Sequence, residues 1–512
     1  MGFPARIGRR SRSLLKVIFS GFGYGSTLPG VVLQAGVREI VAKWHALSFV
    51  FDLRGGARML QGFAQQALKL FTQQSPVCVM VRGVLENLFS EDRLNDIFEN
   101  HAVRQYSREL SFSACVSLMT QVVTRTRPSL HAAYKAQREE IAVSINSVYN
   151  KINGIETQVS EAMVAETANV LRDVVDTLGP CGECLAGRFE VRIIDGNHLA
   201  GTDHRIAELR KLGAAALPGH SVSVLDPKRQ LIEAVVTSED GHSSERLMIP
   251  AVLEHVQPKQ CWMGDANFCT RDMLFGVRSA RGHFIVRQHG QFQGQLTGRR
   301  RKIGASETGM VYEQSLTIEQ SGRTLEVRRV TIERDEPTRK GKTEVHILSS
   351  LPASISAIQI AEAYRNRWTI ESAFQDITVN LRSEINTLGY PDAALFGYCV
   401  ALMLYNVLSV VQSALLASAA RKPERNLSLY AIADEVSGVW RGLSMSVPAE
   451  AWTDFARASP KRLAALLQRV ARNADIDRLM VHKWSPKKKQ PKRKSGNRGN
   501  HVATQKILNQ RT

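Results

Sequence analysis

One predicted helix carries polar side chains that could act together. At about 100° per residue, helical spacing over residues 361–378 places four of them within a stripe about 60° wide: Tyr364, Arg367, Glu371 and Thr378. Apolar residues fall on the flank beside this stripe, where they can pack on a sheet. The helix therefore presents a carboxylate, a guanidinium and a phenol together. An ordinary amphipathic helix with a surface Glu–Arg pair would give the same pattern, so the stripe alone does not establish a site.

Two aspartates far upstream give the helix a chemical context. Asp195 closes the alternating segment FEVRIID, and Asp265 follows the apolar segment that ends at Gly264, so each is predicted at the end of a strand. If Asp195, Asp265 and Glu371 meet at one edge of a sheet, their repulsion raises at least one pKa. A divalent cation with oxygen ligands, such as Mg²⁺, removes that repulsion. Two such ions would bind the attacking and leaving oxygens of a phosphodiester.

Composition indicates a polyanionic partner. The chain has 512 residues and a formal net charge of +19, distributed over several segments, which favours nucleic acid over a membrane surface. The seven cysteines are an odd number and do not form a disulfide framework, so a reducing, intracellular compartment is expected. Cys181 and Cys184 form a CxxC motif without a second pair of ligands, which argues against a zinc site.

Two segments resemble a signal peptide and a transmembrane helix, but neither has all the features of one. The basic residues near the N-terminus precede LLKVIF, but Lys16 interrupts the apolar run and no small-residue cleavage site follows it. Residues 393–420 contain no charged side chain and are long enough to span a bilayer. Polar residues such as Asn406 and Gln412 interrupt this segment, so we expect a buried core helix and no membrane partner.

The chain divides by pattern into seven segments. Residues 76–188 read as helices with many cations, 189–270 and 351–420 as the two parts of an α/β core, and 271–350 almost entirely as strands. Residues 421–482 are helical and 1–75 have no assigned role. The basic helices of 76–188 are predicted to bind DNA. A basic run inside the strand-rich segment is a second candidate DNA contact: Arg299, Arg300, Arg301 and Lys302.

The C-terminal segment 483–512 is predicted to be a basic flexible tail. It carries eight Lys or Arg residues between Lys483 and Arg498, two prolines and no apolar periodicity. Such a polycation binds DNA through phosphates without reading sequence.

The chain resembles the DDE, ribonuclease-H-like group of bacterial insertion-sequence transposases. Asp195 within IIDGNHL, Asp265 within WMGDANFCT and Glu371 within AYRNRWTIESAF look like the three catalytic acids of that group. Tyr364, Arg367 and Glu371 match the signature of the branch named for insertion sequence four. Thr378 stands where that branch has a lysine. The resemblance covers roughly residues 185–420.

The resemblance implies a fold, a reaction and partners. The fold is α/β, with a ribonuclease-H-like mixed sheet flanked by helices, a β-rich insertion, and helical N- and C-terminal regions. The reaction is cleavage at the ends of an insertion sequence and strand transfer into target DNA, with Asp195, Asp265 and Glu371 holding Mg²⁺ or Mn²⁺, as two ions. The partners are the terminal repeats and target DNA, bound by a homodimer in the bacterial cytoplasm, at the nucleoid.

Some alternatives stay open at the level of sequence. Relatives that cut through a DNA hairpin stack a flipped base on an aromatic residue of the insertion, and no residue here matches it. Trp368 is the only tryptophan between positions 266 and 371 and lies in the helix signature. A DNA-binding protein without catalysis and a nuclease without strand transfer are the two rival functions, because both are compatible with the same segments.

Overall fold

The computed structural model of the chain describes residues 53–105, 109–180, 182–337, 341–419, 427–481 and 501–510, with side chains from residue 62 onward. Helices come first along the described part of the chain: α1 (Leu53–Gln74), α2 (Pro76–Leu88), α3 (Glu91–His101), α4 (Phe112–Val123), α5 (Leu130–Ala136), α6 (Ile145–Ile152) and α7 (Thr157–Leu178). Residues 53–74 of the unassigned N-terminal segment thus form a helix, which contacts α2. Residues 1–52 lie outside the described residues.

Five strands form the centre of the fold. They are β1 (Glu190–His198), β3 (His220–Asp226), β4 (Leu231–Ser238), β5 (Gln260–Gly264) and β6 (His283–Arg287), and the two-residue β2 (Ala216–Leu217) lies outside this sheet. Their spatial order is β4-β3-β1-β5-β6, with β3 antiparallel to β1 and β4, and with β1, β5 and β6 parallel. This is the ribonuclease-H-like arrangement, and the predicted fold class is confirmed.

Helices cover both faces of these strands because the strands are apolar on both sides. Ile193 and Met263 face a large core cluster that includes residues of α7. Ile194 and Trp262 face a second cluster on the other side. The helices of that second side, α8 (Ile249–Leu253) and α9 (Arg271–Ser279), connect β4 to β5 and β5 to β6.

The strand-rich segment extends the same sheet. Strands β7 (Gln295–Ser306), β8 (Gly309–Gln320), β9 (Arg323–Arg334) and β10 (Glu344–Ser349) continue it beyond β6 in the order β10-β9-β8-β7, all antiparallel. The sequence places this insertion at 271–350, but α9 and β6 belong to the core, because β6 pairs with β5. The inserted strands therefore begin at Gln295.

The predicted continuous helix over 361–378 is wrong. The structure has two helices, α10 (Ala357–Arg365) and α11 (Trp368–Asn380), separated by Asn366 and Arg367. At the break the backbone bonds span three residues, since Asn366 N–H donates to the Ala363 carbonyl at 3.0 Å and Arg367 N–H to the Tyr364 carbonyl at 3.1 Å. These i→i+3 bonds form a 3₁₀ turn that interrupts the helix.

The uncharged segment is the central helix of the fold. Helix α12 (Pro391–Ser418) is the one described helix that is long and apolar enough to cross a membrane, and its most apolar window is entirely buried inside the protein. Asn406 fixes it to the sheet: its Oδ1 accepts from Ile232 N–H at 2.7 Å and its Nδ2 donates to the Ile232 carbonyl at 2.9 Å. Because both polar atoms of this buried amide bond to the backbone of β4, they fix the position of the helix against that strand.

The remaining elements surround this helix. Helices α13 (Leu429–Ser446), α14 (Thr453–Ala456) and α15 (Pro460–Ala471) share the core cluster with α2, α4 and α7, so the helical N- and C-terminal regions pack as one layer.

The prediction that residues 483–512 form a flexible tail is wrong for the described residues at its end. Strand β11 (Val502–Ala503) pairs with β2, and α16 (Thr504–Leu508) follows it, with Lys506 bonded to Asp240 at 3.2 Å. The basic residues 483–498 lie outside the described residues.

Candidate active site

Asp195 projects from the middle of β1. The sequence predicts that the strand ends at this residue, whereas it continues to His198. The continuation has a simple cause: Gly196, Asn197 and His198 stay paired with β3, which supplies hydrogen bonds that their own weak strand propensity does not predict. The parallel neighbour β5 ends earlier, so Asp195 lies beyond the end of β5 and is 18% exposed in its side chain.

Asp265 lies level with Asp195 on the next strand. The parallel register pairs Ile193 with Met263, and both aspartates follow two residues later. Adjacent strands lie about 4.8 Å apart, so this register brings the two carboxylates to one edge. Asp265 also begins a short 3₁₀ helix, because its Oδ1 accepts from Asn267 N–H at 2.8 Å. Its predicted position at a strand end is confirmed.

Glu371 reaches the same edge from the first turn of α11. Arg367 joins it to β1: Nη2 of Arg367 lies 2.6 Å from Glu371 Oε1, and Nη1 lies 3.4 Å from Asp195 Oδ2. The Arg367 side chain is 9% exposed, so the guanidinium is held between the two carboxylates and away from bulk water. The i,i+4 spacing explains the contact with Glu371, and the packing of α11 on β1 adds the contact with Asp195.

The three carboxylates influence one another electrostatically. The pKa of Asp195 is raised to about 6, mainly by burial; the negative charges of Asp265 and Glu371 add to the shift, and Arg367 opposes it. A carboxyl group that titrates this high lacks sufficient positive charge around it. The expected repulsion between the carboxylates thus contributes to the raised pKa of Asp195, but burial is the larger cause.

Tyr364 completes the polar surface on the preceding helix. Burial raises the pKa of its phenol to about 12, and the charges of Arg367 and Arg287 oppose that shift. The charge of Asp265 also acts on the phenol, and the hydroxyl hydrogen-bonds with Arg367. The structure thus gathers Tyr364, Arg367 and the carboxylates at one place, although the two helices are not continuous.

Comparison with known proteins bears on this geometry. Residues 187–407 match the family model for a transposase DDE domain, and this range contains all three carboxylates. Residues 187–407 are therefore similar to a transposase DDE domain. No curated protein matches the sequence of this chain at a significant level. A solved cryo-EM structure of a piggyBac transposase synaptic complex with hairpin DNA is similar over 82% of this chain and 86% of that one, with 11% sequence identity and a TM-score of 0.38.

The predicted basic contact lies outside the carboxylate cluster. Arg299, Arg300, Arg301 and Lys302 lie on β7, the outermost strand, six strand positions from β1. Strand β7 nevertheless packs against α10, and Arg365 of that helix pairs with Glu307 just after the end of β7. Arg300 bonds to Glu344 at 2.9 Å and covers the Tyr312 ring, and Arg301 bonds to Glu313 at 3.1 Å. These residues do not join the DDE site, and their DNA contact stays a prediction.

Thr378 lies outside the bridged cluster of the DDE domain. It is exposed on α11, seven residues after Glu371, which places it about 10 Å further along the helix axis. Its neighbour Val379 is also exposed.

Glu245 is a fourth carboxylate of the DDE domain that sequence reasoning missed. It opens the 3₁₀ helix before α8, and a Cβ on Gly196 would lie 2.0 Å from its Oε1, so Glu245 rests directly on β1. Burial raises its pKa, the charge of Asp265 raises it further, and a bond from Asn267 opposes the shift. A Ser–Glu pair before a short helix is common, so only the packing on Gly196 reveals this position.

The donor set fits a hard divalent cation. Among the described residues, no group of three His, Cys, Asp or Glu side chains is spaced closely enough to hold a metal ion as the side chains stand. Carboxylate oxygens are nevertheless the ligands that Mg²⁺ and Mn²⁺ prefer. A cation already bridges two of the three carboxylates, because the Arg367 guanidinium bonds to both Asp195 and Glu371. Asp195, Asp265 and Glu371 are the residues that would hold a metal.

Proposed function

We propose that the protein is a transposase that cleaves DNA at the ends of an insertion sequence and joins those ends to target DNA. One observation carries this proposal: Asp195, Asp265 and Glu371 act on one another electrostatically at one sheet edge, within a transposase DDE domain. The signature of Tyr364, Arg367 and Glu371 supports membership of the branch named for insertion sequence four. That branch implies a bacterial cytoplasmic protein acting at the nucleoid.

The carboxylates supply the negative charge that the reaction requires. Asp195, Asp265 and Glu371 would hold Mg²⁺ or Mn²⁺, as two ions. When bound, such ions activate the attacking oxygen and stabilise the leaving oxygen of the phosphodiester. Asp195 and Asp265 come from two adjacent strands and Glu371 from a helix on one face, so the sheet fixes two ligands and the helix positions the third. Fixed ligands keep the reacting groups in line.

The cations around this edge would bind the DNA backbone. Arg367 is able to bond to a phosphate through two parallel N–H groups, and the Tyr364 hydroxyl adds a further donor. The basic strand residues Arg299 to Lys302 on β7 would contact DNA outside the carboxylate cluster. A homodimer would bring two such sites to the two ends of an element. Helices within 76–188 would contribute recognition of the terminal repeats.

Two rival functions use the same residues. A nuclease would cleave without joining, and a DNA-binding protein without catalysis would bind and do neither. All three carboxylates are present and lie at one edge, which favours catalysis over binding alone. Joining distinguishes a transposase from a nuclease.

An assay with Mg²⁺ and candidate element ends tests the proposal, scoring cleavage and joining separately. We expect the wild-type protein to do both and Glu371→Gln to bind DNA without cleaving it. Glu362→Gln is the matched control, because Glu362 is exposed on the adjacent helix α10. Cleavage that survives Glu371→Gln would reject the assigned role, and cleavage without joining would identify a nuclease.

A further inference from the structure

Arg367 occupies the position of a bridging cation. Its two terminal nitrogens bond to Asp195 at 3.4 Å and to Glu371 at 2.6 Å, which are two of the three carboxylates assigned to metal binding. The guanidinium and a divalent ion satisfy the same need, since each neutralises carboxylates that would otherwise repel. The guanidinium engages one oxygen of each carboxylate, Asp195 Oδ2 and Glu371 Oε1, and its positive charge repels a second cation placed beside it.

We propose that Arg367 and the divalent cation compete for Asp195 and Glu371, and that DNA relieves the competition by offering Arg367 a phosphate. The inference rests on the proposed metal-dependent function and adds a regulation of the same site. Without DNA, Arg367 keeps the metal-binding carboxylates occupied. With DNA, the guanidinium moves to the backbone and leaves the carboxylates to the metal.

The surroundings of Arg367 suit such an exchange. The residue lies at the 3₁₀ turn between α10 and α11, so its backbone is not fixed by a continuous helix. Its guanidinium lies 5.4 Å from the centroid of the Trp368 ring, and Trp368 is 60% exposed. An exposed aromatic face next to the ion pair offers the guanidinium a path toward the surface along which a cation–π contact persists.

Because Arg367 can bond either to the carboxylates or to a DNA phosphate, the binding of DNA and the binding of metal are coupled. If DNA phosphate draws Arg367 away, bound DNA tightens metal binding, and bound metal tightens DNA binding by the same factor. Metal binding to the DNA-free protein is then weak. This arrangement restricts the cleavage-competent state to the DNA complex.

Calorimetric titration of Mn²⁺ into the metal-free full-length protein tests the competition. We expect Arg367→Gln to bind Mn²⁺ about tenfold more tightly than wild type, because no charge-assisted hydrogen bond has to be broken first. Arg365→Gln is the matched control: Arg365 lies two residues away and pairs with Glu307. Asp195→Asn should remove the binding event and thereby assign it to the site. Equal or weaker Mn²⁺ binding by Arg367→Gln overturns the competition.

A second measurement avoids any folding defect of the variant. The wild-type protein is titrated with Mn²⁺ before and after saturation with a short DNA duplex, and the titration of DNA alone is subtracted. We expect about tenfold tighter Asp195-dependent binding in the complex, and an unchanged affinity overturns the coupling. If Asp195-dependent Mn²⁺ binding occurs but its affinity changes neither with Arg367→Gln nor with DNA, this inference is wrong and the proposed function stands. No Asp195-dependent binding under either condition defeats the metal-dependent function as well.

Discussion

Strand β1 has an arginine–carboxylate cluster near each end, and the two differ in their balance of charge. The structural cluster, near its start, joins three arginines to four carboxylates: Arg172, Arg192 and Arg229 with Asp176, Glu190, Asp226 and Glu233. The site cluster, near its end, has Arg367 for the carboxylates of Asp195, Asp265, Glu371 and Glu245. Burial alone would raise the pKa of Glu190, but Arg192 and Arg229 lower it below its usual value.

The difference shows which cluster serves stability and which can bind a ligand. In the structural cluster Arg229 bonds to Asp226 and Asp176, each at 2.8 Å, and these bonds raise its pKa against the effect of burial. In the site cluster the pKa of Asp195 is raised to about 6, with burial as the main cause. An unbalanced group of partly buried carboxylates costs stability unless a cation joins it. The excess of carboxylates over arginines therefore distinguishes the site cluster from the structural cluster.

The largest expected difference between the clusters is in catalysis. Asp265→Asn should lower the cleavage rate by roughly 10³-fold or more, because it removes one charge from the carboxylates that stabilise phosphoryl transfer. Asp226→Asn makes the same chemical change in the structural cluster and should leave the cleavage rate close to wild type. Single-turnover cleavage of a DNA end at saturating enzyme measures both. A comparable loss of rate in both variants would mean that the clusters do not differ in function.

The next largest difference is in stability. Arg229→Met should lower the free energy of unfolding by about 3–5 kcal/mol, because it leaves the fully buried Asp226 without that partner. Arg367→Met should cost less, since the Glu371 side chain is 38% exposed and water replaces part of the lost contact. Urea unfolding in the presence of a chelator compares them. A larger loss from Arg367→Met would assign the site cluster a structural role.

These clusters also show what the sequence could and could not predict. Alternation in FEVRIID predicted β1, because local patterns determine which residues face the core. The helix break at Arg367 was not predictable, because residues 361–378 contain no glycine or proline to mark it. Spacing along the helix predicted that Arg367 would reach Glu371, but the contact with Asp195 depends on packing between elements 172 positions apart. Glu245 was missed for the same reason.

Stability should respond to pH through Asp195. Its native pKa of about 6 lies above the ordinary value of 3.8, so the native state binds the proton more tightly than the unfolded state. That contribution to stability is complete below about pH 4 and is lost as pH rises through 6. Asp195→Asn removes the loss: the variant should match wild type near pH 4 and exceed it by up to roughly 3 kcal/mol at pH 8.

Thermal unfolding of both proteins across pH 4–8, without divalent cations, measures this difference. Asp226→Asn is the control from the structural cluster and should be less stable than wild type at pH 8, because Asp226 accepts from Arg229 at 2.8 Å. If Asp195→Asn gains nothing at pH 8, the site carboxylates are already neutralised. The contrast between the two clusters would then disappear.

The smallest effect is expected at Glu245, and it decides whether the site cluster has three working carboxylates or four. Glu245→Gln should raise stability at pH 8 in the same direction as Asp195→Asn, because burial and Asp265 both raise the pKa of Glu245. The gain should be smaller, since Asn267 Nδ2 already donates to its Oε2 at 3.4 Å and the substitution keeps an oxygen there. If Glu245 only borders the site, Mn²⁺ affinity and cleavage rate stay near wild type. Loss of Mn²⁺ binding would instead make Glu245 a ligand, reached across the open position that Gly196 leaves on β1.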